Sequence, residues 1–234
     1  MSMKRLIHIL CLGIVLALAS CTNFVDESAG QGKPATGIIN GRVWVDLGLP
    51  SGLKWATCNV GASSSSDYGN YYAWGETSTK SNYDWSTYRY CNGSYNSLTK
   101  YNTDPSYGTV DNRTRLEMSD DAARANWGGS WRMPTDAEWT ELKNNCNWTW
   151  MTQGGINGYK VTSRTNGNSI FLPAAGYRLW GSLYSAGSYG IYWSSSLDSD
   201  TPDYARNVIF DSGGVSRISC DARCPGDSVR PVSE

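Results

Sequence analysis

Histidine is almost missing from this chain. Its one copy, His8, sits inside an apolar leader, so no imidazole is available beyond that leader. A Ser-His-Asp triad, a Cys-His pair and every His-ligated metal centre are thereby excluded. Phenylalanine is scarce as well, at 3 residues against 11 tryptophans. Core bulk must then come from aromatic side chains whose polar tips each need a partner. Charge of neither sign dominates: Lys and Arg number 20, Asp and Glu 21, without a basic cluster. That balance argues against a nucleic-acid partner. No repeat of solenoid length is present, and no apolar run after the leader is long enough to cross a bilayer.

What is present begins with the leader. Lys4 and Arg5 precede an apolar run over residues 6–19, which ends in Leu18-Ala19-Ser20-Cys21. A short basic region, a short apolar core and small residues before a cleavage point predict a secretory signal. With Cys directly after Ala-Ser, it resembles a bacterial lipoprotein signal. The resemblance implies that residues 1–20 are removed and that Cys21 carries the acyl chains of a membrane anchor. Thr22 after the Cys is similar to lipoproteins sent to the outer membrane. Asp26-Glu27 is similar to the acidic export signal of Bacteroidetes surface lipoproteins. The expected location is therefore the outer membrane, facing outward. Residues 21–40 are poor in groups to bury and read as a flexible tether, about 60 Å long when stretched. Residues 41–234 are one domain's worth of chain.

Cys58, Cys91, Cys146, Cys220 and Cys224 follow Cys21. An odd number leaves at least one thiol free or paired between molecules, and spacing does not give the connectivity. Cys58 and Cys146, set among Trp and Leu, also read as buried free thiols.

Short β-type runs dominate the rest, at 42–47, 53–58, 70–74, 159–162, 169–172, 192–196, 207–210, 215–218 and 228–232. Asp211-Ser212-Gly213-Gly214 lies between two of them and predicts a hairpin turn. Ser119 before Asp120-Asp121 predicts a helix start, with Gly128-Gly129 its stop. Thr135 with Glu138 forms a capping box for a second helix over about 136–145, with Trp139, Leu142 and Cys146 on one face. Few helices and many short strands predict an α+β fold. Residues 83–115, rich in Tyr, Asn, Ser and Thr, predict a long surface excursion held by aromatic packing.

Several ordered stretches carry a family resemblance: Trp131-Arg132-Met133-Pro134-Thr135-Asp136-Ala137-Glu138-Trp139, Val45-Asp46-Leu47-Gly48-Leu49-Pro50-Ser51-Gly52-Leu53-Lys54-Trp55-Ala56, and Tyr71-Tyr72-Ala73-Trp74-Gly75-Glu76. Leu172-Pro173-Ala174-Ala175-Gly176-Tyr177-Arg178, Tyr192-Trp193-Ser194-Ser195-Ser196 and Ser228-Val229-Arg230-Pro231-Val232 follow. Together they resemble the C-type-lectin-like proteins: formylglycine-generating enzymes, the Fibrobacter succinogenes major paralogous domain family, and the variable proteins of diversity-generating retroelements. The resemblance implies a C-type-lectin-like fold of short antiparallel strands, two helices and long loops. Trp131, Trp139, Trp193 and Tyr177 would then be core, with Arg132 and Arg230 ordered by carboxylates or carbonyls.

Between Tyr184 and Pro225 the chain loses the family's regularity, and in the diversified relatives this region forms one exposed face and is rewritten at adenines, mostly in Asn codons. Such rewriting never produces Lys, Glu, Gln, Met or Trp, and none of these occurs from Ser194 to Ser233. The contact residues this implies are Tyr184, Ser185, Tyr189, Asp198, Asp203, Tyr204, Asp211, Ser216, Ile218, Ser219, Cys220, Asp221 and Cys224. Tyr offers rigid amphipathic area, and Ser and Asp offer adaptable hydrogen bonds. The expectation is a surface-anchored module for an unknown protein or glycan ligand, with no catalysis, no cofactor and no metal. An alternative makes Cys220 and Cys224 the Cu(I)-binding pair of a formylglycine-type thiol oxidase, although their spacing is one residue short and the surrounding motif is missing. A strained disulfide between the two is a further reading of the pair. Another alternative is an adhesin or fimbrial tip component. Asp198, Asp200 and Asp203 could cluster for calcium, but read better as a solvated acidic loop.

Overall fold

The computed structural model describes residues 36–234, with backbone alone over 217–220. The leader, Cys21, Asp26-Glu27 and the tether up to residue 35 lie outside the described residues. In chain order come β1 (Thr36–Ile39), β2 (Arg42–Asp46), β3 (Lys54–Ala56) and β4 (Tyr71–Tyr72), then the helices α1 (Ala122–Trp127) and α2 (Asp136–Asn145). Next are β5 (Cys146–Gln153), β6 (Ile156–Ser163), β7 (Ser169–Pro173), β8 (Tyr177–Leu179) and β9 (Ser182–Tyr184). The chain ends with β10 (Gly190–Leu197), β11 (Tyr204–Asp211), β12 (Gly214–Ala222), β13 (Asp227–Ser228) and β14 (Val232–Ser233). These form sheets of order β1-β2-β3-β14, β12-β11-β10-β13-β4, β5-β6-β7 and β8-β9.

At 38% strand and 11% helix the fold is mainly β, which overturns the α+β expectation. Two local causes account for the difference. Asp121, not Ser119, caps α1 by accepting from the Arg124 amide, and Ser119 is spent in a 3-10 turn, so that helix has only 6 residues. Strands also form where none was expected. Asn40-Gly41, at φ of 46° and 75°, turns β1 back onto β2, so the end of the expected tether is sheet. After α2 the backbone turns extended at Cys146 and continues as β5, paired along its length with β6. The predicted turn at 211–214 does form, closing β11 onto β12.

β10 is the organising strand, buried on both faces. Tyr192 belongs to a core cluster with Val45, Trp55, Trp139, Leu142 and Phe210, while its neighbour Trp193 belongs to a second with Trp74, Tyr101, Trp127 and Trp131. Alternating side chains therefore reach two cores on opposite sides. Three of the buried indoles around β10 are satisfied as well as buried, whereas that of Trp55 has no hydrogen-bond partner among the described residues. Trp74 Nε1 donates to Ser194 O at 2.8 Å, Trp131 to Ile39 O at 2.9 Å and Trp193 to Tyr72 O at 2.7 Å. Tyr177 departs from the core expectation: it is half-buried and stacks on Tyr184.

The capping box forms, with Thr135 Oγ1 accepting from the Glu138 amide at 3.3 Å and Glu138 Oε2 from the Thr135 amide at 2.7 Å. Arg132 grips the same carboxylate with two bonds of 2.8 Å. Burial works against ionising Glu138, but the Arg132 and Thr135 bonds outweigh it and hold its pKa below the usual 4.5. A depressed carboxylate stabilises the fold above its unfolded pKa, and that contribution is lost as pH falls through the folded value. Glu138→Ala is expected to cost about 2 kcal/mol in urea unfolding at pH 7, and measurably less once pH drops below 4.5.

Two fully buried arginines tie distant segments together without any carboxylate. Arg230 donates to Asn59 Oδ1, Ala56 O, Thr57 O and Phe171 O at 2.9–3.0 Å. Arg223 donates to Tyr88 Oη, Tyr101 O, Pro202 O and Lys100 O at 2.8–3.0 Å. Its guanidinium also lies 5.1 Å from the Trp74 ring centroid. Through Arg223 the excursion over 83–115 is joined to the end of the chain, and Tyr83, Tyr88, Tyr90, Leu98 and Tyr101 of that excursion are core residues.

Candidate functional site

The sequence-predicted contact residues do not share one surface. Gly190 pairs with Phe210 at one end of β10–β11, and Leu197 with Ala205 at the other. At roughly 3.3 Å per residue the two ends are about 23 Å apart. Tyr189 and Asp211 fall at the first end and Asp198, Asp203 and Tyr204 at the second. Ser216 is exposed near the β11–β12 turn, where Asp211 accepts from the Gly213 amide at 2.7 Å. The side chains of Ile218, Ser219 and Cys220 lie outside the described residues.

Burial removes others from contact. Asp198 is buried, with Arg206 3.4 Å from its Oδ1, and Asp203 and Cys224 are buried as well. Asp221 and Tyr204 are half-buried. Burial raises the pKa of both Asp203 and Asp221. Among the described residues from 194 to 233, only 199–200, 212–213 and 216 are well exposed. The expected platform after Trp193 is thus mostly interior, because β10 and β11 are inner strands of their sheet and β13 pairs beside β10.

The cysteine readings are corrected at the same place. Cys58 is disulfide-bonded rather than a free thiol, while Cys91, Cys146 and Cys224 are free. A disulfide between Cys220 and Cys224 is excluded by the free state of Cys224. Burial pushes the Cys224 thiol up to about 12. Among the described residues no three His, Cys, Asp or Glu side chains are grouped to hold a metal ion.

The exposed aromatic surface lies upstream, on the β8–β9 hairpin. Tyr177 pairs with Tyr184 and Leu179 with Ser182, leaving Trp180-Gly181 as the turn. The two tyrosine rings stack at 5.6 Å and 22°. Trp180 is 58% exposed, and Leu183, Tyr184 and Tyr189 are exposed beside it. Trp180 has a φ of 50°, a left-handed conformation that bulky side chains rarely adopt. Holding it there costs about 1–3 kcal/mol, and strain of this kind clusters at ligand clamps.

The outer edge of β8 is fixed at two points. Trp180 and Tyr83 exchange two backbone bonds of 2.9 Å, and Arg178 and Gly226 two of 2.8 Å. Gly226 is required here, since a Cβ would stand 2.5 Å from the Tyr83 ring. Beside the hairpin opens a cleft of about 310 Å³ lined by Asn70, Tyr71, Thr79, Lys80, Tyr83 and Arg178. Of the predicted residues, this region gathers Tyr184, Ser185 and Tyr189. Sequence reasoning missed Trp180, Arg178 and the cleft. The usable signal was Tyr177-Arg178-Leu179 and Ser182-Leu183-Tyr184 separated by two residues ending in Gly, which is a hairpin pattern with Trp at its tip.

No family model, curated protein or solved structure matches this chain. Among the described residues no helix is long and apolar enough to cross a membrane.

Proposed function

We propose that this chain is a carbohydrate-binding module, displayed on the cell surface from an acyl anchor at Cys21, and that it binds through the Trp180 hairpin rather than catalysing a reaction. The observation that carries the reading is Trp180 itself: a large aromatic, exposed and strained, on a hairpin whose first strand is pinned along its outer edge. An exposed indole on a rigid mount suits stacking on the apolar face of a sugar ring. The platform is small, with a few side chains around a two-residue turn, whereas a stable protein interface covers about 800 Å² on each partner. The cleft beside it, at about 310 Å³, lies at the low end of the range for small-ligand sites. The family resemblance of the ordered landmarks and of the lipoprotein leader supports display and binding. Retroelement rewriting of 194–233 is left out of the proposal, because Asn207, Val208 and Phe210 there are fully buried.

The thiol-oxidase alternative loses support from the burial of Cys224, which is 4% exposed. The test is binding of the mature protein to an immobilised panel of glycans. Trp180→Ala is expected to lower affinity for any glycan retained by about tenfold or more. Tyr95→Ala, which removes an equally exposed ring away from the hairpin, is expected to leave it unchanged. Equal binding by wild type and Trp180→Ala would refute the proposal.

A further inference from the structure

Arg178 is the unusual member of the cleft lining. Lys80, the other cation there, already pairs with Glu76 Oε1 at 2.9 Å and donates to Thr87 O at 3.1 Å. Arg178 has no ion pair and no side-chain hydrogen bond among the described residues, although its backbone is locked to Gly226. Its guanidinium lies 5.4 Å from the Tyr71 ring centroid. That ring is itself fixed, since Tyr71 Oη donates to Ala175 O at 2.6 Å. The buried arginines Arg132, Arg223 and Arg230, by contrast, each spend several donors on partners within the fold.

A guanidinium held over an aromatic ring by a cation–π contact, with its donors unspent, is free to receive a carboxylate with two parallel bonds. Asn70 and Thr79 on the same wall offer neutral groups suited to hydroxyls. The backbone of Trp180 is bonded to Tyr83, another wall of this cleft, so the platform and the guanidinium adjoin. We infer that the cleft selects an acidic sugar, with the carboxylate of a uronic-acid residue held by Arg178 beside the Trp180 platform. The inference rests on the carbohydrate reading and names its ligand class.

The test compares methyl β-D-glucuronide with methyl β-D-glucoside, which differ only in carboxylate against hydroxymethyl, by NMR titration of the mature protein. The Arg178 Nε–H and Trp180 indole N–H signals are the two readouts. Glucuronide is expected to bind about tenfold more tightly and to move both signals. Arg178→Gln is expected to bring glucuronide down to the glucoside affinity while the Trp180 response to glucoside is kept. Arg178→Lys, which keeps charge but loses the fork, is expected to fall between. Equal affinities with a moving Trp180 signal would overturn the acidic-sugar inference and leave the carbohydrate reading standing. No response of Arg178 to glucuronide would also overturn it, with the carbohydrate reading then decided by the glycan panel.

Discussion

Replacing Arg230 with methionine is expected to destabilise the fold by about 4 kcal/mol, a large fraction of the roughly 5–15 kcal/mol available to a domain. Methionine fills much of the same space, so the loss is not chiefly a cavity. It arises because Asn59 Oδ1, Ala56 O, Thr57 O and Phe171 O remain buried and lose their shared donor. Each orphaned acceptor costs about 1–3 kcal/mol, offset by not burying a cation. Arg230 is fully buried, and that burial pushes its pKa down to about 10. The measurement is urea unfolding, and a midpoint within error of wild type would mean that those acceptors find other donors.

Arg223→Met is expected to act differently, although the number of bonds lost is the same. Three of the four acceptors, Tyr88 Oη, Tyr101 O and Lys100 O, belong to the excursion over 83–115. A loop that can lift away from the body recovers its hydrogen bonds from water, so the variant opens locally before it unfolds globally. Global stability is expected to fall by about 3 kcal/mol. The sharper readout is hydrogen exchange. Amides bonded within the excursion, among them Leu98, Thr99 and Thr109, are expected to lose protection selectively, while those of β5–β6 keep theirs. A uniform loss across both regions would contradict the pinning role of Arg223.

Reading the chain alone recovers what local chemistry determines. Thr135 and Glu138 announce α2 because a capping box is satisfied within four residues, and Asp211 to Gly214 announces its hairpin by the same logic. Arg132 and Arg230 were legible as structural arginines, since a planar donor fork between aromatic landmarks needs acceptors. Fold class was not legible. The extended backbone after Cys146 is stabilised by pairing with β6, a tertiary effect that a single strand's composition underreports.

The site was legible only in part, for a related reason. Of the expected contact residues, Tyr184, Ser185 and Tyr189 lie at the exposed hairpin, and their signal is tyrosine and serine in the irregular stretch that the resemblance marks. Burial of Asp198, Asp203 and Cys224 follows from β10 and β11 being central, which no spacing reveals. Trp180 was passed over because a tryptophan in a chain with so few phenylalanines reads as core. Its exposure depends on the position of a two-residue turn, and its left-handed φ on backbone bonds to Tyr83, far away in sequence.

The most direct measurement is hydroxyl-radical footprinting of the mature protein with and without a glycan that it retains. Protection is expected at Tyr177, Trp180, Tyr184 and Tyr189, with residues 199–200 and 212–216 unchanged. Protection confined to 199–216, with the hairpin as reactive as in the free protein, would place the ligand on the β11–β12 side and contradict the account.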